Sequence, residues 1–104
     1  MSWAPITSSE VPEITTAWVQ ENLHSDKFQL VDCREPNEWS SGYIETALSC
    51  PLSSWEQSSA KISKDKPVVV YCHSGIRSLS ATADLLSKGY QVASMTGGIS
   101  FFNR

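Results

Sequence analysis

The stretch Pro67-Val68-Val69-Val70-Tyr71-Cys72-His73-Ser74-Gly75 restricts the fold of this chain more than any other. An apolar run without polar alternation describes a strand covered on both faces, because a half-exposed strand would show every second residue to water. A helix-period pattern follows at once, over residues 75–88. A buried strand feeding directly into a helix is the repeating unit of a parallel sheet with right-handed crossovers. Apolar runs at 28–32, 43–48 and 92–95 read as further strands of that sheet.

The intervals between the runs supply helices. Thr15 is placed to cap a first helix with Trp18, Val19 and Leu23 on its inner face. Pro36 opens a short helix over Pro36–Ser41, and residues 53–60 carry another. Within 75–88, Ile76, Leu79, Ala83 and Leu86 form one apolar stripe, with Lys88 in the last turn and Gly89 as the left-handed residue that ends it. The expected fold is a small α/β domain: a parallel sheet of four to five strands with helices on both faces. A single domain over residues 1–104 is expected, with residues 1–10 loosely ordered.

Composition narrows the function classes. A formal net charge of −3 and the lack of any Lys/Arg cluster argue against nucleic acid as a partner. No apolar run reaches membrane-spanning length, and residues 1–10 lack the basic start and apolar core of a signal peptide, so a cytoplasmic protein with no membrane partner is expected. Three widely spaced cysteines, with His24 and His73 far apart, make neither a disulfide framework nor a metal-ligand pattern. No metal and no cofactor are expected.

Ligands of open parallel sheets bind beyond the carboxyl ends of the strands. Asp32 ends one strand and Cys72 follows another, so the topology brings both loops to one edge. A thiol facing a helix N-terminus meets unpaired N–H groups and the positive end of the helix dipole, which favour thiolate. Gly75 lets the loop curl so that successive N–H groups point inward and cradle an anion. Arg77 adds a permanent charge, and Ser78 a hydroxyl within reach of the sulfur. A thiolate, a persulfide or a tetrahedral oxyanion suits such a pocket.

Asp32-Cys33-Arg34-Glu35-Pro36-Asn37-Glu38-Trp39 matches a D-x-R-x-x-x-E-aromatic pattern. Gly42-Tyr43-Ile44-Glu45-Thr46-Ala47, running on to Pro51, matches a G-H-I-x-G-A…P pattern with Tyr43 and Thr46 in place of histidine and glycine. With the Cys72–Arg77 loop and the Gly97-Gly98 pair, these segments resemble the single-domain rhodaneses, thiosulfate sulfurtransferase-type proteins, over residues 14–102. The resemblance implies that Cys72 takes sulfur from an anionic donor such as thiosulfate, holds it as a persulfide and passes it to cyanide or a thiol. No cofactor beyond that covalent persulfide is implied, and an acceptor protein is a further partner it allows. His73, Ser74, Gly75, Ile76, Arg77 and Ser78 then form the substrate and persulfide loop. Arg77 orders it, Asp32 and Arg34 brace it from the adjacent strand, and Glu38 partners Arg34.

Four residues separate Cys72 from Arg77, against five in the phosphatase and arsenate reductase loops of related fold, which favours sulfur transfer. A persulfide-delivery module for a partner protein is the alternative, and an inert interaction domain would be expected to lack the loop cysteine. Many active members carry arginine or lysine where His73 stands, and a histidine is only partly protonated near neutral pH. Either Phe101 or Phe102 replaces the family's tryptophan. Cys33 is either core filling or a resolving thiol; Cys50 is expected to be packed and inert. Trp18, Trp39 and Trp55 read as packing residues, and Trp3 as a loosely held terminal one.

Overall fold

The strand expected from the Val68-Val69-Val70 run stands at the centre of a five-stranded, wholly parallel sheet in the computed structural model, which describes residues 3, 5 and 11–102. The strands are β1 (Glu13–Ile14), β2 (Gln29–Asp32), β3 (Leu48–Ser49), β4 (Val68–Tyr71) and β5 (Val92–Met95), in the order β1-β5-β4-β2-β3. All four residues of β4 are buried because both faces are covered. Val69 and Tyr71 point into one core with Val19 of α1 (Thr16–Asn22), while Val68 and Val70 point into the other, with Ala81 and Leu85 of α3 (Arg77–Ser87). Trp55, which opens the one-turn helix α2 (Trp55–Ser58), packs against this second core. Among the described residues no helix is long and apolar enough to cross a membrane.

Register decides what reaches the carboxyl edge. Asp32 of β2 lies opposite Tyr71 of β4 on one side and Ser49 of β3 on the other. Residues 33, 50 and 72 therefore leave three neighbouring strands side by side. Thr15 caps α1 through its hydroxyl, which accepts the Trp18 N–H at 3.0 Å, and Gly89, with φ 91°, follows α3 in the left-handed conformation.

The structure departs from the expected elements in four places. Residues 43–48 do not form a strand. Only Leu48–Ser49 pairs, and before it Thr46 sits at φ 76°, a left-handed turn that a β-branched residue adopts only under strain, at the position where the resemblance puts glycine. The two-residue β1 is too short to show a sequence period. The stripe Ile76, Leu79, Ala83 and Leu86 is out of phase: α3 buries Ser78, Ala81, Thr82 and Leu85, and leaves Ile76 70% and Leu86 42% exposed. The helix is turned this way because Ser78 must meet the strand-end groups beneath it, and small Ala81 and Thr82 let the helix approach the sheet. Trp3 is half-buried and packs edge-to-face on Trp18 at 5.6 Å rather than hanging loose. Apart from Trp3 and Pro5, the segment 1–10 lies outside the described residues.

The phase of α3 is measurable. Leu85→Ala is expected to lower the unfolding free energy by about 2–5 kcal/mol, as for other buried leucines. Leu86→Ala should cost no more than about 0.5 kcal/mol. Urea unfolding at constant m-value compares them, and the reverse order would contradict this packing.

Candidate active site

Strand β4 delivers Cys72 to the floor of a loop whose amides turn in toward its sulfur. The N–H of Gly75 lies 3.2 Å from Cys72 Sγ and that of Ser78 lies 3.4 Å away. Ser78 Oγ stands 3.5 Å from the sulfur and 2.7 Å from Ser94 Oγ of β5. The loop can curl this tightly because Gly75 takes φ 94° and a Cβ there would press on the Gly97 amide at 3.0 Å. On the outer side, the Ile99 N–H donates to the Cys72 carbonyl at 2.9 Å and the Ser100 N–H to the His73 carbonyl at 3.1 Å. Any Cβ on Gly98 would collide with those same carbonyls. Donors thus face the sulfur while acceptors are tied down behind it.

This arrangement holds the Cys72 thiol down to about 4. The largest cause is a hydrogen bond from the Cys33 thiol; the Ser78 hydroxyl and the Ser78 and Gly75 amides add to it, against the burial that favours the neutral form. Cys33 is pushed the other way, up, by the same hydrogen bond and by burial. The two sulfurs share one negative charge, and it rests on Cys72 because the loop amides point there.

One ion pair ties the loop's arginine to a neighbouring turn, and a second closes the adjacent strand end without touching the loop. Both terminal guanidinium nitrogens of Arg77, Nη1 and Nη2, donate to the Glu38 carboxylate at 2.8 Å, and Glu38 also accepts the Glu35 N–H at 3.0 Å. The helical turn Pro36–Ser41 is thereby clamped to the first turn of α3. The other pair is internal to one strand end: Arg34 Nη2 donates to Asp32 at 2.8 Å, with Asp32 unexposed and Arg34 2% exposed. Arg34 Nη2 also donates to the Gly42 carbonyl at 2.8 Å. The expected Arg34–Glu38 pairing is therefore replaced. Residues two apart on an extended chain share a side, so Arg34 folds back on Asp32, and Glu38 on the outer turn meets Arg77 instead. Cys33, between them, faces the opposite side and Cys72.

The rhodanese-like domain profile matches residues 15–104. The chain belongs to the rhodanese family. A sulfurtransferase of Allochromatium vinosum is 44% identical over 91 residues, covering 86% of this chain and 85% of the relative. The Bacillus subtilis protein YqhL is 41% identical over 73 residues, 69% of this chain and 58% of that longer protein. Thiosulfate sulfurtransferase GlpE of Coxiella burnetii is 34% identical over 70 residues, 66% of this chain and 65% of the relative. Among solved structures, a rhodanese-related protein of Thermoplasma volcanium superposes with a TM-score of 0.78 at 30% identity, covering 85% of this chain and 86% of that one.

Within the rhodanese loop, His73, Ser74 and Ile76 are exposed, and Gly75 and Arg77 are half-buried. Phe101, 72% exposed, is the aromatic beside the loop, its ring lying over Gly97, whereas Phe102 packs against the core. Ser94, which holds the Ser78 hydroxyl, carries one signal in the sequence, a lone polar residue inside the buried strand Val-Ala-Ser-Met, and no motif marks it. Among the described residues no three His, Cys, Asp or Glu side chains gather to hold a metal ion.

Glu38 gives the rhodanese domain an acid-sensitive clamp. Its carboxyl is held down to about 2 from an ordinary 4.5, chiefly by the Arg77 guanidinium. A depressed carboxylate contributes stability that is complete above the unfolded value and is lost as pH falls toward the folded one. Unfolding free energies should therefore drop between those two values, and Glu38→Gln should flatten that part of the profile. An unchanged slope in the variant would remove Glu38 from the account.

Proposed function

We propose that this domain is a sulfurtransferase that carries sulfane sulfur as a persulfide on Cys72, takes it from a small anionic donor such as thiosulfate and yields it to cyanide or a thiol. The observation that carries this reading is the cradle itself: a cysteine held as thiolate, with inward amides, in a loop with only four residues between Cys72 and Arg77. The Cys72 thiolate attacks the outer sulfur of thiosulfate, the S–S bond breaks, and sulfite departs with the electron pair. The outer sulfur, now bearing the charge, remains in the loop among N–H donors that stabilise it without a metal. An acceptor then attacks that sulfur and the Cys72 thiolate returns, which makes the reaction a two-half, ping-pong process.

In this reading the Arg77–Glu38 pair fixes the loop's shape, and Arg77 draws the donor anion without contacting the sulfur. Free, buried cysteines suit a reducing cytoplasm. The relatives named sulfurtransferase and thiosulfate sulfurtransferase support the same chemistry. The exposed Ile76 and Phe101 beside the loop favour, as a second role, delivery of the sulfur to an acceptor protein.

Incubation with thiosulfate, sampled by intact mass from the earliest times, should show one added sulfur atom and release one sulfite. The added mass should be absent from Cys72→Ser and removed from the wild type by dithiothreitol; a wild type that neither gains it at any time nor releases sulfite would refute the reading. Faster transfer to a protein thiol than to cyanide would favour delivery. His73 stands exposed at the loop, where a permanent cation would attract the donor dianion. His73→Arg is expected to lower the KM for thiosulfate with little change in kcat, measured as thiocyanate formation, and an unchanged KM would show that this position does not grip the donor.

A further inference from the structure

We propose that Cys33 is a resolving thiol: it attacks the inner sulfur of the Cys72 persulfide, expels hydrogen sulfide and leaves a Cys33–Cys72 disulfide that an external dithiol reopens. The proposal rests on the persulfide reading above and adds to it a second product and a second reacting residue.

Geometry brings the two cysteines together although 39 positions separate them in the numbering. Asp32 and Tyr71 are direct partners across β2 and β4, and the Cys33 N–H continues the ladder by donating to the Tyr71 carbonyl at 3.0 Å. Cys33 and Cys72 are thus the next residues along two adjacent parallel strands, where side chains in register point to the same face. Both sulfurs lie in the same core cluster with no exposed surface. Adjacent strands run about 4.8 Å apart, a separation inside the roughly 4.4–6.8 Å Cα range that disulfides span. Cys50 occupies the corresponding position on the far side of Cys33, but its sulfur donates to the Ser58 carbonyl at 3.3 Å and is held toward that segment. Cys33 shares its cluster with Cys72 and is coupled to it electrostatically.

The chemistry balances without an outside oxidant. In the persulfide the negative charge sits on the outer sulfur and the inner Cys72 Sγ is an electrophile. The Cys33 proton passes to the outer sulfur, the Cys33 sulfur bonds to Cys72 Sγ, and the persulfide S–S bond breaks with its electron pair leaving on hydrosulfide. Two cysteine sulfurs are oxidised to a disulfide while the sulfane sulfur is reduced to sulfide, and the overall charge is conserved. Thiol–disulfide exchange with a dithiol then restores both cysteines. An abundant external acceptor outruns this step; when none is present, Cys33 discharges the carrier.

The test is single-turnover. The full chain is loaded with thiosulfate, desalted without thiol, and followed by sulfide assay, intact mass and peptide mapping. Wild type should lose the added sulfur as stoichiometric sulfide, end two hydrogens lighter than the reduced protein, and yield a peptide pair joining residues 33 and 72. Cys33→Ser and Cys33→Ala should still take up sulfur, at an altered rate, and then keep it until a thiol is added. Cys50→Ser should behave as wild type. Equal persulfide lifetimes in wild type and both Cys33 variants, or a disulfide through Cys50, would overturn the proposal while leaving sulfur transfer intact. Failure of the wild type to load sulfur would overturn both.

Discussion

Two backbone hydrogen bonds underlie the site. The amides of Ile99 and Ser100 hold the carbonyls of Cys72 and His73, and so fix the start of the loop whose later amides, those of Gly75 and Ser78, face the sulfur. Ordinary strand-to-helix loops direct their carbonyls and amides wherever water or caps will satisfy them. In this domain the acceptors are satisfied behind the loop by a chain segment more than 20 residues later in sequence. The glycine at position 98 follows from that contact pattern, because a Cβ there would collide with both carbonyls.

The two ion pairs differ in kind. Asp32–Arg34 is out of water, and such a pair is held by geometry: each charge needs the other, and the remaining donors must be met as well. The Gly42 carbonyl and the Tyr71 ring, whose centroid lies 5.7 Å from the guanidinium, meet that demand. Tyr71 in turn accepts the Ile44 N–H on its hydroxyl at 3.0 Å, so the segment that fails to form a strand is still pinned to β4. Arg77–Glu38 is partly wet, and its Coulomb energy is correspondingly screened. Its contribution is positional, because it ties a mobile-length arginine and the start of α3 to a turn that Glu35 and Pro36 already cap.

Much of this was legible in the residues. The continuous valine run and the cysteine after it place β4 and the proposed nucleophile together, since both depend on local pattern. Pro36 marked its helical turn to the residue, and Gly89 its helix end. What escaped depended on contacts remote in sequence. The face of α3 is chosen by Ser78 and Ser94 rather than by its leucines, so Leu86 looked buried on periodicity alone. Glu38 pairs with Arg77 rather than Arg34, and spacing along the chain says nothing of a helix start 39 residues later. Strand register, which sets Cys33 against Cys72, has no signature in a parallel sheet read from one sequence.

The Ser78–Ser94 pair has a bearing on how the site tolerates a change of state. Either hydroxyl can donate to the other across 2.7 Å, and the first of them also borders the sulfur. When Cys72 is anionic, both O–H dipoles can align toward it; when the charge moves outward, both can reverse by simple rotation about a C–O bond. In the proposed transfer cycle the backbone need not shift between the two halves. Such a site keeps its solvation inside the fold and adjusts it by spinning two protons, so little of the framework has to reorganise when the charge on the sulfur changes.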